Sequence, residues 1–419
     1  MLKVLPFLFL TFSVALADWP QYHGPAGDKS TGSTIVSGNQ LNSSSRIIWK
    51  SPTPFGFSSF SILDHSAFTL IAEEDEDGLL REVCIAIDIT SGKRIWQQNL
   101  GVASYGHAGG NAGTPDNSGG DGPRSTPSVK DGQVFIYDSS MVLHCLSAKS
   151  GKKIWKVDVI DDHEGENIMW KNSSSPLLVD DLVIVCGGGK NQSLIAFSQR
   201  TGKVKWKTGT ETLTHTTPTL AKIHGLEQVI FLCRSGLVSL ESKNGKELWR
   251  QAFSFKVSTA SSPVVADDLV FCSAGYGVGA GVFKISLNAG NWESEQVWRK
   301  RNELMNHWST PLYYEGNLYG IFGFKEYGKA PLQCVDLKTG EIRWSQKGFG
   351  PGNLIRSGDT LWVLSDDGQI VAVSANSNRY TEFGRSKILT GKCWTTPTIS
   401  KNILLARSTK EATALYFKK

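Results

Sequence analysis

One pattern recurs along this chain and constrains its fold more than any other feature. A small residue, any residue and a polar residue are followed, after a short gap, by Gly-Lys or a relative, and then by Trp. It reads Ala86-Ile87-Asp88, Ser91-Gly92-Lys93, Trp96, and returns as Cys145-Leu146-Ser147, Ser150-Gly151-Lys152, Trp155. Further copies end at Trp206, Trp249, Trp298 (a looser one) and Trp344, and a degenerate copy from Ala372 runs on to Phe383. Alternation before the polar position makes a half-buried strand. The Gly supplies the positive φ of a tight hairpin turn. The strand that follows carries an aromatic ring that has to be buried. Each copy therefore predicts a hairpin.

A second signal precedes each hairpin: Ser or Thr, then Pro, then an alternating strand. It occurs at Thr126-Pro127, Ser175-Pro176, Thr217-Pro218, Ser262-Pro263, Thr310-Pro311 and Thr396-Pro397. Pro is tolerated at the first residue of a strand, where no ladder donor is needed. Turns such as Lys130-Asp131-Gly132 then separate a first strand from a second, giving four strands per unit. Anchors at Trp49, Trp96, Trp155, Trp206, Trp249, Trp298, Trp344 and Phe383 are spaced by about 48 residues, in the range of propeller blades. Residues 384–419 hold a Pro-led strand and Thr413–Phe417 but no Gly-Lys turn and no Trp strand. Arg46–Lys50 is a Trp strand with no blade before it. Joined, they complete an eighth blade and leave no open sheet end. The expected fold is all-β: one eight-bladed β-propeller of four-stranded antiparallel blades over residues 46–419, closed by N- and C-terminal strands.

The first 17 residues read as a signal peptide: Lys3, an apolar run from Val4 to Leu16 and a small-residue exit at Ala15-Leu16-Ala17. The run is too short to span a bilayer core, which needs about 20 residues. Residues 18–45 form an N-terminal extension. An exported protein, periplasmic or extracellular, is expected. The net charge of +5 comes from basic residues spread along the chain, so the basic stripe of a nucleic-acid binder is missing. Seven Cys each fall in a different repeat at an apolar strand position, which reads as small core residues, mostly unpaired.

With these residues in view, the chain resembles the PQQ-like (quinoprotein alcohol dehydrogenase-like) β-propeller repeat family, in its secreted bacterial members. The resemblance rests on the Gly-Lys-x-x-Trp hairpins, the start Asp18-Trp19-Pro20-Gln21-Tyr22-His23-Gly24-Pro25, the segment Gly122–Pro127 and Gly187-Gly188-Gly189-Lys190. It implies one of two functions. Some members are quinoprotein dehydrogenases, which use pyrroloquinoline quinone (PQQ) and calcium to oxidise alcohols or sugars. Another is a scaffold of the outer-membrane assembly machine. The vicinal Cys-Cys pair of the dehydrogenases is absent here, and neither their calcium site nor their catalytic Asp is assignable. The reading is therefore a non-catalytic binding or scaffold propeller, monomeric, with a protein, glycan or small-molecule partner. The alternative is the PQQ- and calcium-dependent dehydrogenase.

In a four-stranded blade, the links into the first strand share one face with those between the second and third. The Gly-Lys turns lie on the other. Two long links, 101–124 and 158–173, reach the first, funnel-shaped face. The position three before each Pro points at the axis there: Arg124, Ser173, His215, Ala260, Trp308 and Trp394. With Trp170 and His307 beside them, Arg124, His215, Trp308 and Trp394 make the candidate ligand site, where a guanidinium and stacked rings suit an anionic or planar group. Two simpler readings stand beside it. The rings fill the channel mouth, and Arg124 ties down its link through backbone carbonyls. The acidic run Glu73–Gly78 reads as a charged, solvated hairpin tip and Asp161–Glu166 as solvated loop charge. Gly187–Lys190 reads as a turn between strands, because no full phosphate-loop spacing follows.

Overall fold

The computed structural model describes residues 19–32, 36–105, 122–190, 192–323 and 326–418. The expected signal peptide lies outside them, as do His107, Asn111, Asp116 and Asp121 of the 101–124 link.

Eight four-stranded antiparallel sheets follow one another along the chain. Blades 1 to 7 span residues 61–102, 128–158, 177–208, 219–252, 264–300, 312–346 and 353–387, and each sheet keeps its strands in sequence order. Blade 8 takes three strands from the C-terminus, Thr398–Ser400, Ile403–Arg407 and Glu411–Phe417. Its outermost strand is Ser45–Pro52. The expected strand pairing closes the ring, with Arg46 facing Tyr416, Trp49 facing Ala414 and Lys50 facing Thr413. All seven Cys are buried and unpaired. Among the described residues no helix is long and apolar enough to cross a membrane.

The repeat tryptophans join each blade to the next. Trp49, Trp96, Trp155, Trp206, Trp298 and Trp344 each donate their indole N–H to a backbone carbonyl of the following blade, at 2.8–3.0 Å. Five of the rings also lie against a turn glycine. A Cβ on Gly92 would stand 2.6 Å from Trp49, so the turn needs Gly for space as well as for its φ of +71°. Trp249 is buried but bonds Gln228 Oε1 within its own blade. In blade 5 the matching carbonyl, that of Ile285, already accepts from His224 Nε2 at 2.8 Å.

The eighth anchor corrects the sequence reading. In every copy the docked Trp pairs with the small residue of its hairpin partner, one place after a bulge, as Trp206 pairs with Ala196. In blade 7 that partner, Ala372, faces Gly384, and Phe383 is the bulged residue. The outer strand of blade 8 comes from the N-terminus, so no hairpin turn exists for a ring to dock beneath. The short helix Gln40–Ser43 covers the place instead. A Cβ at Gly384 would stand 2.3 Å from Asn42 Nδ2, and one at Gly38 would stand 2.2 Å from the Phe383 ring.

The Ser/Thr before each Pro forms an inner belt. The N–H of Ser59 donates to Thr126 Oγ1, that of Thr126 to Ser175 Oγ, that of Ser175 to Thr217 Oγ1 and that of Ser262 to Thr310 Oγ1. Thr396 N–H reaches Ser59 Oγ at 2.8 Å across the closing seam. Blade 7 has Asn353 at this place, and the N-terminal extension supplies the missing contact. Lys29 Nζ donates to Thr310 O at 2.5 Å and to Asn353 Oδ1 at 3.4 Å.

The extension plugs the axial channel. Trp19 bridges Ile62 on the innermost strand of blade 1, and Val129 N–H of blade 2 bonds Pro20 O. The chain turns back at Gly24 and Gly27, and Ser30 bridges Arg356 on the innermost strand of blade 7.

A second buried cation locks the ring closure. Arg407, at the end of Ile403–Arg407, is fully buried. It donates to the carbonyls of Thr53, Phe55, Ser58, Leu70 and Ser408 and to Thr69 Oγ1.

Candidate functional site

The funnel face gathers the six predicted residues into two linked groups. In the first, Arg124 Nη1 donates to Trp170 O at 2.9 Å, and its guanidinium lies 5.8 Å from the Tyr105 ring centre. Trp170 and Lys171 both have left-handed φ, +69° and +61°, an uncommon conformation for residues with side chains. Their link is held in place from several sides. Asn172 Nδ2 donates to the carbonyls of Tyr137, Asp138 and Ser174, and Ser173 Oγ donates to His215 O. The Trp170 and His215 rings stand 6.3 Å apart.

His215 is fixed by Ser258, whose Oγ accepts its backbone N–H at 2.9 Å and contacts Nδ1 at 2.7 Å. Burial first, then the charges of Arg124 and His307, push its imidazole down to about 3. The ring is therefore neutral at ordinary pH.

The second group is an aromatic stack. Trp308 lies on Trp394 with ring centres 4.3 Å apart, and Phe57 lies on Trp394 at 4.7 Å. Tyr327 stacks on Trp394 within 12° of parallel, and Lys392 Nζ is 4.6 Å from that ring. His307 meets Trp308 edge-on and is flanked by Tyr276. Trp308 Nε1 donates to Pro351 O, while Trp394 Nε1 is buried without a partner.

Two groups at this face escaped the sequence reading. Phe57 stands two residues before Ser59, the belt residue of blade 1, as Arg124 stands two before Thr126. Phe60 replaces the Pro there, so alignment on Pro skips that blade, whereas alignment on the Ser/Thr finds it. The other is a buried acidic cluster beneath Arg124. Glu82 accepts from Tyr105 OH at 2.9 Å and Ser139 Oγ at 2.5 Å, and Asp138 contacts His144 Nε2 at 2.9 Å. Burial, then the neighbouring Asp138, raises the Glu82 carboxyl above its usual range.

Among the described residues the remaining charged and glycine-rich segments carry no site, though Asp161 and Asp162, expected in a loop, lie in a short helix. Glu73 and Glu74 end a strand, and Asp75–Leu79 make the hairpin tip, with Asp75 paired to Arg81. Asp161 and Asp162 lie in the short helix Val159–His163, capped by the Asp158 carboxylate. Gly187–Lys190 connects Leu182–Cys186 to Leu194–Ser198.

A ring of eight four-stranded blades joined by docked tryptophans is a PQQ-like β-propeller. The family model described as outer membrane protein assembly factor BamB matches residues 81–346, more than half of the chain, and the chain belongs to that family. It is 25% identical to the outer membrane protein assembly factor BamB of Shewanella oneidensis over 67% of this chain and 71% of that protein. It is 28% identical to the tetrathionate hydrolase of Acidithiobacillus ferrooxidans over 54% of this chain, but spans only 37% of that protein's length. Among solved structures, the quinohemoprotein alcohol dehydrogenase of Comamonas testosteroni aligns with a TM-score of 0.67 at 12% identity, over 96% of this chain and 80% of that one. BamB of Moraxella catarrhalis aligns with a TM-score of 0.60 at 14% identity, over 89% of this chain and all of that one. These two likenesses establish the fold alone.

Among the described residues, the funnel offers PQQ and calcium no cradle. Trp394 already carries three stacked neighbours, and Arg124 is engaged by Trp170 O and Tyr105. Among the described residues no three His, Cys, Asp or Glu side chains come together as a metal site.

Proposed function

We propose that this protein is a non-catalytic scaffold, exported from the cytoplasm, that holds a protein partner on its funnel face. The observation that carries this is the self-packed stack of Phe57, Trp394, Trp308 and Tyr327. Its rings are spent on each other, so the stack offers a rigid surface instead of a slot for a cofactor. Tyr276 and Tyr327 crown it, 42% and 51% exposed. Rigid aromatic anchors are characteristic of interface hot spots. Membership of the assembly-factor family supports a protein partner. Export rests on the leader-like residues 1–17.

The reading predicts that a Tyr276→Ala/Tyr327→Ala variant keeps its melting temperature and loses the partner. It also predicts that purified protein mixed with PQQ and calcium leaves alcohols and sugars unoxidised in a dye-linked assay. Sustained turnover there would overturn it.

A further inference from the structure

The repeat puts a similar hairpin on the rim of most blades, but the charges it carries differ. Residues 149–157 of blade 2 hold Lys149, Lys152, Lys153 and Lys156. Residues 199–207 of blade 3 hold Arg200, Lys203, Lys205 and Lys207. Neither segment contains a carboxylate, and all eight basic residues are exposed. Separate in sequence, the two segments abut in the fold. Trp155 Nε1, on the outer strand Lys153–Asp158, donates to Gln199 O at 2.9 Å. A Cβ on Gly202 would stand 2.8 Å from the Trp155 ring. The turn of blade 3 therefore rests against the outer strand of blade 2, and the eight cations share one stretch of rim. Basic residues that look evenly spread along the sequence are gathered by the ring.

The outer strands on either side balance their charges. Arg94 is paired with Glu73 in blade 1, and Arg250 with Glu247 in blade 4. Among the described residues only Lys205 of the eight has a carboxylate partner, Asp181 at 3.7 Å, while Lys207 bonds the neutral Gln192 Oε1. The next carboxylates along the chain, Asp158, Asp161 and Asp162, belong to the short helix and its cap at the funnel end of the blade 2 strand. Eight cations against a net charge of +5 for the whole chain leave the remainder at −3. Attraction for an anionic surface is thus concentrated on this side of the ring.

Aliphatic side chains stand among the lysines. Ile154 is 48% exposed and Val204 36%. Ile95, 49% exposed, lies on the outer strand that rests on the blade 2 turn. Lysine stems and aliphatic groups beside ammonium ions suit a layer that is anionic at its surface and apolar just beneath. A phosphodiester backbone offers the aliphatic groups no such layer.

We propose that this rim of blades 2 and 3 docks the propeller on an anionic lipid bilayer, with its ammonium groups on the lipid phosphates and Ile154 and Val204 at the acyl boundary. The surface goes beyond the scaffold reading, because it uses none of the funnel residues and leaves that face open.

The test is flotation of the purified chain from residue 18 onward with phosphatidylcholine vesicles, with and without phosphatidylglycerol. Binding is expected only with the anionic lipid, and it should fall as sodium chloride is raised. A Lys152→Gln/Lys153→Gln/Lys156→Gln/Lys203→Gln variant should bind at least about tenfold more weakly. A Lys256→Gln/Lys338→Gln/Lys347→Gln/Lys401→Gln variant loses the same charge elsewhere and should bind as wild type does. Ile154→Ser/Val204→Ser should weaken binding several-fold. Every substituted residue is exposed, so melting curves should stay unchanged. Absence of flotation with the anionic vesicles, equal losses in the two lysine variants, full binding by the Ile154/Val204 variant, or displacement from the vesicles by a DNA duplex would each overturn the proposal.

Discussion

Trp49 Nε1 donates to the carbonyl oxygen of Ile89 at 2.9 Å, one blade further round the ring. That contact carries the N-terminal strand of blade 8 onto blade 1, and the same bond recurs at five other seams. At these six seams one indole does two jobs, filling the gap between blades and satisfying a buried carbonyl.

Trp206→Ala removes such a ring. The side chain is 8% exposed and its N–H bonds Ser242 O at 3.0 Å. Loss of a large buried aromatic costs about 3–5 kcal/mol. Reversible urea denaturation should show that loss, and a change under about 1 kcal/mol would mean that this seam does not depend on its Trp.

Arg407→Ala should cost at least about 3 kcal/mol, because several buried acceptors lose their donor together. The guanidinium makes bonds of 2.6 Å to both Leu70 O and Phe55 O. Thermal melting of Arg407→Ala beside Arg407→Lys checks it, with the Lys variant in between. A melting temperature equal to wild type would contradict the locking role.

These two predictions mark what the sequence does and does not disclose. The repeat tryptophans, the Thr-Pro strand starts and the closing strand are legible because a buried ring, a missing N–H and an orphan strand are local demands, visible within a few residues. Gly384 is not, because a one-residue bulge shifts the register and a helix from the far end of the chain takes the ring's place. Arg407 and Lys29 look like ordinary surface cations in sequence. Their burial depends on carbonyls that the ring brings together from hundreds of residues away. Phe57 is an intermediate case, hidden only because Phe60 replaces a Pro.

Lys29 gives stability a pH dependence. Burial lowers its ammonium from 10.5 to about 7. Between those values the unfolded chain holds the proton more often than the folded one, so its contribution to stability rises with pH across that window. Below pH 7 both states are protonated and the burial penalty is at its full size. Denaturation of wild type and Lys29→Met should show wild type gaining on the variant from pH 7 towards pH 10. Parallel curves would contradict a buried Lys29.

Arg124→Ala should loosen the 158–173 link, since the charge-assisted bond to Trp170 O is worth about 1.5–3 kcal/mol. A fall in melting temperature with faster amide exchange at residues 167–173 is expected. Unchanged exchange there would leave the bond without a structural role.

The central claim is that the partner sits on the funnel face. Site-specific photocrosslinking tests it most directly. A photoreactive residue at Tyr327, on that face, is compared with one at Lys338, in a turn on the opposite face, in living cells that produce the protein. The account predicts one discrete crosslinked protein from position 327 and none from position 338. A crosslink from 338 alone, or none from 327, would contradict it.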